Sequence, residues 1–198
     1  MKYPEIFDFS DLQSWKEKYM TKEILSREWD LMTQEVLPDV IEVPVFTEEF
    51  CDKFVENIKL QKYHQSDRWG TPTDILSIES LGLKDLFLNI AVEYLHPLTY
   101  HYWMVDGKKW KFMNIDPQIL KFKPGQDLRL HHDFCSITMS MLLDGNSKGG
   151  ELLFPKYGIV EPKVGFMYIY PGQITHRYGM RRIKNHNRHL LNIYCYAD

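Results

Sequence analysis

From Pro97 to the end, the chain reads as short β-like runs punctuated by turn pairs, and this pattern limits the fold more than any other feature. "LTYHYWMV" and "KKWKFMNI" flank Asp106-Gly107, which predicts a hairpin. "QILKF", "SITMSMLL", "GELLF", "GFMYIY", "QITHRY" and "RHLLNIYCYA" follow, with turn pairs at Pro124-Gly125, Asp144-Gly145, Gly149-Gly150 and Pro171-Gly172. Many short strands with frequent turns predict a β-sandwich or barrel.

The half before Pro97 has a different period. Leu12, Trp15, Tyr19, Ile24, Leu25, Leu31 and Met32 recur at helical steps between about Ser10 and Gln34, with Ser10 as an N-cap. "LPDVIEVPVF" reads as extended, because its two prolines break the helix. Thr47 caps a second helix on which Phe50, Phe54 and Ile58 make one stripe. "QKYHQSDRWGTPTD" reads as a polar loop, and a third helix from about Gly82 to Tyr94 stops before Pro97. Helices first and strands second predict an α+β chain with the N-terminal helices packed on one sheet. The expected organisation is a single domain over 1–198, with 1–96 mainly helical and 97–198 forming the strand core.

Composition removes some function classes. A net charge of -3 gives no reason to expect a nucleic-acid partner. Cys51, Cys135 and Cys195 are odd in number and far apart, which argues against a disulfide framework or a structural zinc site. "MKYPEIFDFSDLQSWKEKY" has no apolar stretch of signal-peptide type, and no run reaches the length of a membrane span. A soluble protein, cytoplasmic by default, is the expectation.

The chemistry is concentrated in "LRLHHDFCS". In a strand, residues i and i+2 share a face, so His131 and Asp133 project together while His132 points away. An imidazole nitrogen and a carboxylate oxygen on one edge take two positions of a divalent metal. Two histidines and one carboxylate on one face of an octahedron leave three positions open, as in non-haem Fe(II) oxygenases. A later strand brings His176, and Arg188 opens the apolar final strand, where a buried guanidinium calls for an anionic partner.

The chain resembles the C-terminal catalytic domain of the procollagen lysyl hydroxylases, which are Fe(II)- and 2-oxoglutarate-dependent dioxygenases. "LPDVIEVPVFTEEFCDKFVENIK", "GTPTDI", "LHPLTYHYW", "ILKFKPG", "LRLHHDFCSITMSMLL" and "KGGELLFPKYGIVEPKVGFMYIYPGQITH" come in the family's order, covering roughly residues 35 to 198. The resemblance implies a double-stranded β-helix, a jelly-roll barrel with Fe(2+) at its mouth and 2-oxoglutarate as co-substrate. It implies His131 and Asp133 as iron ligands and Arg188 as the holder of the distal carboxylate. Ser136 and Ser140 fall where the family contacts 2-oxoglutarate. Phe122 stands where the family has a tyrosine that hydrogen-bonds it, so one hydroxyl is missing. The family pattern P-G-x-x-T-H-x-H ligates iron through its second histidine, ten residues ahead of the arginine. That position is Tyr178 here, and His176 lies twelve residues ahead of Arg188. A turn longer by two residues would make His176 the third ligand; His186 in that role, or loss of the ligand, are the alternatives.

By the same resemblance the substrate is a lysine side chain in a peptide or collagen-like protein, with O2 as oxidant, ascorbate as helper and a homodimer as the assembly. Two other readings stay open: hydroxylation of another residue or a small amine-bearing molecule, and a non-catalytic jelly-roll interaction module. A zinc or cupin-like binding protein stands further off. Asp74, aimed at a substrate ammonium, and the basic turn of Arg177, Arg181, Arg182 and Lys184 are further candidates.

Overall fold

The computed structural model describes residues 1–68, 70–103 and 112–197. The expected long first helix is three short ones: α1 (Leu12–Tyr19), α2 (Lys22–Ser26) and α3 (Trp29–Met32). Asp11, not Ser10, caps α1, and Thr21 caps α2 by accepting from the Ile24 N–H. β1 (Gln34–Leu37) and β2 (Val40–Pro44) form a hairpin, and Thr47 accepts from the Phe50 N–H at the start of α4 (Glu48–Ile58). Phe50, Phe54 and Ile58 are all buried on one face of α4, as their spacing predicts.

Two expectations fail before the strand-rich half. The supposed polar loop contains a hairpin, β3 (His64–Arg68) with β4 (Thr71–Ser77), because β4 pairs with the central strand β5 (Phe112–Phe122). The third helix does not stop at Pro97. α5 (Lys84–Ile90) passes through a π-turn over Ala91–Leu95 into α6 (His96–Trp103). Pro97 has no N–H and sits in the first turn after the π-turn, where the helix loses least by its absence. "LTYHYW" is therefore helical rather than the first arm of a hairpin, and the Asp106-Gly107 turn lies outside the described residues.

The remaining strands are β6 (Leu128–His131), β7 (Ile137–Leu142), β8 (Leu152–Phe154), β9 (Gly158–Val160), β10 (Phe166–Pro171), β11 (Tyr178–Met180) and β12 (Arg188–Ala197). They form two antiparallel sheets, ordered β1-β2-β10-β7-β12-β5-β4-β3 and β6-β11-β8-β9. The first 96 residues thus supply four strands of the large sheet as well as helices.

Alternation along the large sheet divides the interior in two. Ile137, Met139 and Met141 of β7, with Leu191, Ile193 and Cys195 of β12, face the helices and pack with Trp15, Phe46, Phe50 and Phe87. The opposite face, including Leu120, Phe122, Leu142, Tyr168, Tyr170 and Leu190, packs against Leu128, Leu152, Phe154, Tyr178 and Met180 of the small sheet. The helices therefore cover one face of one sheet, as the order of elements predicts. No helix among the described residues is long and apolar enough to cross a membrane.

Candidate metal centre

His131 ends β6, and the next residues cross toward the turn that follows β10. The Asp133 N–H donates to the Gly172 carbonyl at 3.0 Å, and the Gly172 N–H donates to the Ser136 carbonyl at 3.0 Å. Glycine is required at 172, since a Cβ there would lie 2.5 Å from the Cys135 carbonyl oxygen. The two segments are tied by their backbones, which fixes where Asp133 stands.

His131 Nδ1 lies 2.8 Å from the Arg129 carbonyl. A carbonyl only accepts, so Nδ1 carries a proton and Nε2 is the nitrogen turned toward the carboxylate. Nε2 lies 3.3 Å from Asp133 Oδ1, with the two residues 6% and 5% exposed. The other carboxylate oxygen, Oδ2, accepts from the Thr138 hydroxyl at 2.7 Å. Two electron-pair donors held together in a buried edge repel unless a proton or a cation lies between them. Imidazole and carboxylate, each oriented by a hydrogen bond from behind, match the donor set of a divalent metal.

His176 is not part of this edge. Its Nε2 donates to the Pro38 carbonyl at 2.9 Å, its Nδ1 lies 2.9 Å from the Thr175 hydroxyl, and its ring stacks on Tyr157 at 4.8 Å. Both nitrogens are engaged, so the expected third ligand is instead a buried brace between the 171–176 turn and the β1–β2 hairpin. The postulated two-residue insertion is also unnecessary: Tyr178 lies ten residues before Arg188 (188 − 178 = 10). Tyr178 sits opposite His131 in the β6–β11 ladder, with ring centroids 4.6 Å apart. His186 is exposed in the turn before β12.

Tyr170, Tyr178 and Tyr194 are buried phenols that feel the charge of the Asp133 carboxylate. For each, burial and then the charge of Asp133 push the phenol above its ordinary range, keeping it protonated. Cys135 is buried too, and its thiol is pushed up to about 11, chiefly by burial. That makes it a packed thiol rather than a thiolate.

Arg188 opens β12 opposite Phe122, and it is 3% exposed. Its Nη1 donates to the Ser147 hydroxyl at 3.1 Å and the Gly149 carbonyl at 3.0 Å, while Nε has no partner. Among the described residues no carboxylate forms an ion pair with it; Asp144, Glu151 and Glu161 only partly offset the burial that lowers its pKa. A cavity of about 510 Å³ borders it, lined also by Ser147, Glu151, Glu161 and Lys184. A buried guanidinium with an orphaned donor is suited to a carboxylate supplied from outside the chain.

Ser140 donates to Asn192 Oδ1 at 2.9 Å, and Asn192 Nδ2 donates to the Tyr194 hydroxyl at 3.2 Å, so a polar line runs along the inner face of β7 and β12. Ser136 is engaged elsewhere, accepting from the Ala197 N–H at 3.0 Å. Phe122 is fully buried between the sheets. Asp74 is paired with Lys121 at 3.5 Å and Lys123 at 3.0 Å, and Arg182 with Asp127 at 3.4 Å. Sequence reasoning passed over Thr138, Tyr170, Asn192 and Tyr194. Their alternation in "SITMSMLL", "MYIYP" and "HLLNIYCY" carried the signal.

Solved structures share this fold. An oxidoreductase of the 2OG-Fe(II) oxygenase family from Burkholderia pseudomallei superposes with a TM-score of 0.65 at 12% identity, covering 80% of this chain and 86% of that one. A viral collagen prolyl hydroxylase from Paramecium Bursaria Chlorella virus-1, in a 2OG complex, superposes with a TM-score of 0.58 at 16% identity, covering 81% and 97%. In sequence the chain is similar to procollagen-lysine,2-oxoglutarate 5-dioxygenase 2 of Mus musculus, at 27% identity over 199 residues. That alignment takes in 92% of this chain, which spans 27% of the relative's length. No family model matches.

Proposed function

We propose that this chain is a Fe(II)- and 2-oxoglutarate-dependent dioxygenase that hydroxylates a lysine side chain in a peptide or collagen-like substrate. The observation that carries the reading is the buried imidazole–carboxylate pair, His131 Nε2 and Asp133 Oδ1, 3.3 Å apart. The buried Arg188 guanidinium, whose Nε has no partner and which forms no ion pair among the described residues, supports it. We read the two sheets as a jelly-roll, the double-stranded β-helix, and residues 1–198 as one unit. Homodimer formation and a requirement for ascorbate belong to the same proposal.

When bound, iron with dioxygen and 2-oxoglutarate supplies the oxidation, releasing carbon dioxide and succinate. The chain's own groups bind and orient. His131 and Asp133 hold the metal from one side. Thr138 keeps the carboxylate correctly turned. Arg188 takes the distal carboxylate of the co-substrate, and Ser140 with Asn192 lines the space on the inner face. The phenols of Tyr170 and Tyr194 remain protonated and exclude bulk water. Ser136 and Phe122 contribute shape rather than a side-chain contact to the co-substrate.

Anaerobic protein incubated with ferrous iron, 2-oxoglutarate and a Gly-X-Lys peptide, then exposed to air, tests this. The expected result is succinate together with a mass gain of one oxygen on the lysine peptide, both lost in His131→Ala. Succinate without peptide oxidation shifts the substrate to another residue or a small amine. A second reading, a non-catalytic module, is favoured by the engagement of both His176 nitrogens away from the metal edge. Absence of succinate from the wild type, with iron bound, establishes that reading instead.

A further inference from the structure

We propose that Tyr178 is the third protein donor of the metal centre, making the set His131, Asp133 and Tyr178. The inference rests on the oxygenase reading above and names the ligand that reading leaves open.

Among the described residues no third His, Cys, Asp or Glu stands with His131 and Asp133 in a metal-holding group. Tyr178 is the residue that the fold places there. It pairs with His131 across the β6–β11 ladder, so its side chain leaves the sheet on the same face, and the two rings lie 4.6 Å apart. The ring is fixed on its other sides by Phe154, stacked at 5.9 Å, and Tyr170, edge-on at 5.1 Å. An oxygen-bearing side chain is thus held beside the imidazole of His131, on the face from which that ring projects.

Coordination is a proton exchange. The phenol O–H bond breaks, an oxygen–metal bond forms, and the proton leaves to solvent. The ligand set then carries two negative charges, where two histidines and a carboxylate carry one. Hard anionic oxygen donors favour the harder ferric ion over ferrous. This centre is therefore expected to hold Fe(III) more firmly than a two-histidine site would. A phenolate bound to Fe(III) also absorbs visible light by charge transfer, which imidazole and carboxylate ligands do not.

The test loads the full chain with ferric citrate, removes excess, and reads metal content and the visible spectrum. The proposal expects equimolar iron and a broad visible band, with the band lost in Tyr178→Phe and retained in Tyr170→Phe and Tyr194→Phe. Tyr178→His is expected to keep the iron and lose the colour. Circular dichroism of each variant separates loss of the ligand from loss of the fold. Equimolar iron that needs His131 but shows no band, or a band that survives Tyr178→Phe, overturns the assignment of Tyr178 and leaves the oxygenase reading standing. No iron uptake from either ferrous or ferric salts overturns both.

Discussion

Thr138 is the residue on which the orientation of Asp133 turns, because its hydroxyl is the hydrogen-bond partner seen on Oδ2. Thr138→Val keeps the shape and removes that bond, so divalent-metal affinity is expected to fall roughly 10–100-fold, the usual range for loss of a group that orients a ligand. Metal titration by calorimetry checks this, with unchanged circular dichroism as the control. Arg188→Lys keeps a charge but loses the planar fork. Each lost charged hydrogen bond is worth about 1.5–3 kcal/mol, so 2-oxoglutarate binding should weaken by tenfold or more. At this scale the i, i+2 spacing of His131 and Asp133 drew attention to the pair, and the structure holds them 3.3 Å apart although β6 ends at His131. His176 was placed by a postulated longer turn, and the structure instead engages its ring with Pro38 and Thr175. Ser136 was placed by resemblance, and its hydroxyl is taken by the Ala197 N–H, a partner 61 residues away that no local pattern shows.

At the scale of elements, α4 shows a signal that survives folding intact. Its N-cap, its aromatic stripe and its length all follow from local chemistry. Thr47→Ala removes the cap and is expected to cost about 1 kcal/mol, measured as a lowered urea midpoint. Phe50→Ala empties a fully buried site in the aromatic cluster and should cost roughly 3–5 kcal/mol. The β3–β4 hairpin was illegible because its residues are mostly polar. Its pairing is decided by β5, which is distant in sequence, and strand propensity yields to such context. The helix through Pro97 was missed because a proline reads as a stop, whereas a π-turn ahead of it accommodates the ring.

For the whole molecule, buried acids make stability depend on alkaline pH. Burial pushes the Cys51 thiol from 9.0 up to about 12 and Cys135 up to about 11, and it raises Tyr168, Tyr170, Tyr178 and Tyr194 above 10.0. In the unfolded chain thiols ionise near pH ~8.5 and phenols near ~10. Below those values both states hold their protons and stability is level. Above them the unfolded chain gives up protons that the native state keeps, so stability declines as pH rises toward the folded values. Urea midpoints at about pH 7 and about pH 10.5 should differ, the second being lower.

The two cores share the large sheet, and this arrangement couples architecture to chemistry. β7 and β12 hand alternate side chains to the helices and to the small sheet. A slip of one residue in either ladder would exchange these two sets completely. Thr138 would then meet the aromatic helices, and Met139 would enter the space beside Asp133. The hydrophobic residues that fasten the helices are thus also what hold the metal edge in phase, so errors in one layer are transmitted at once to the other.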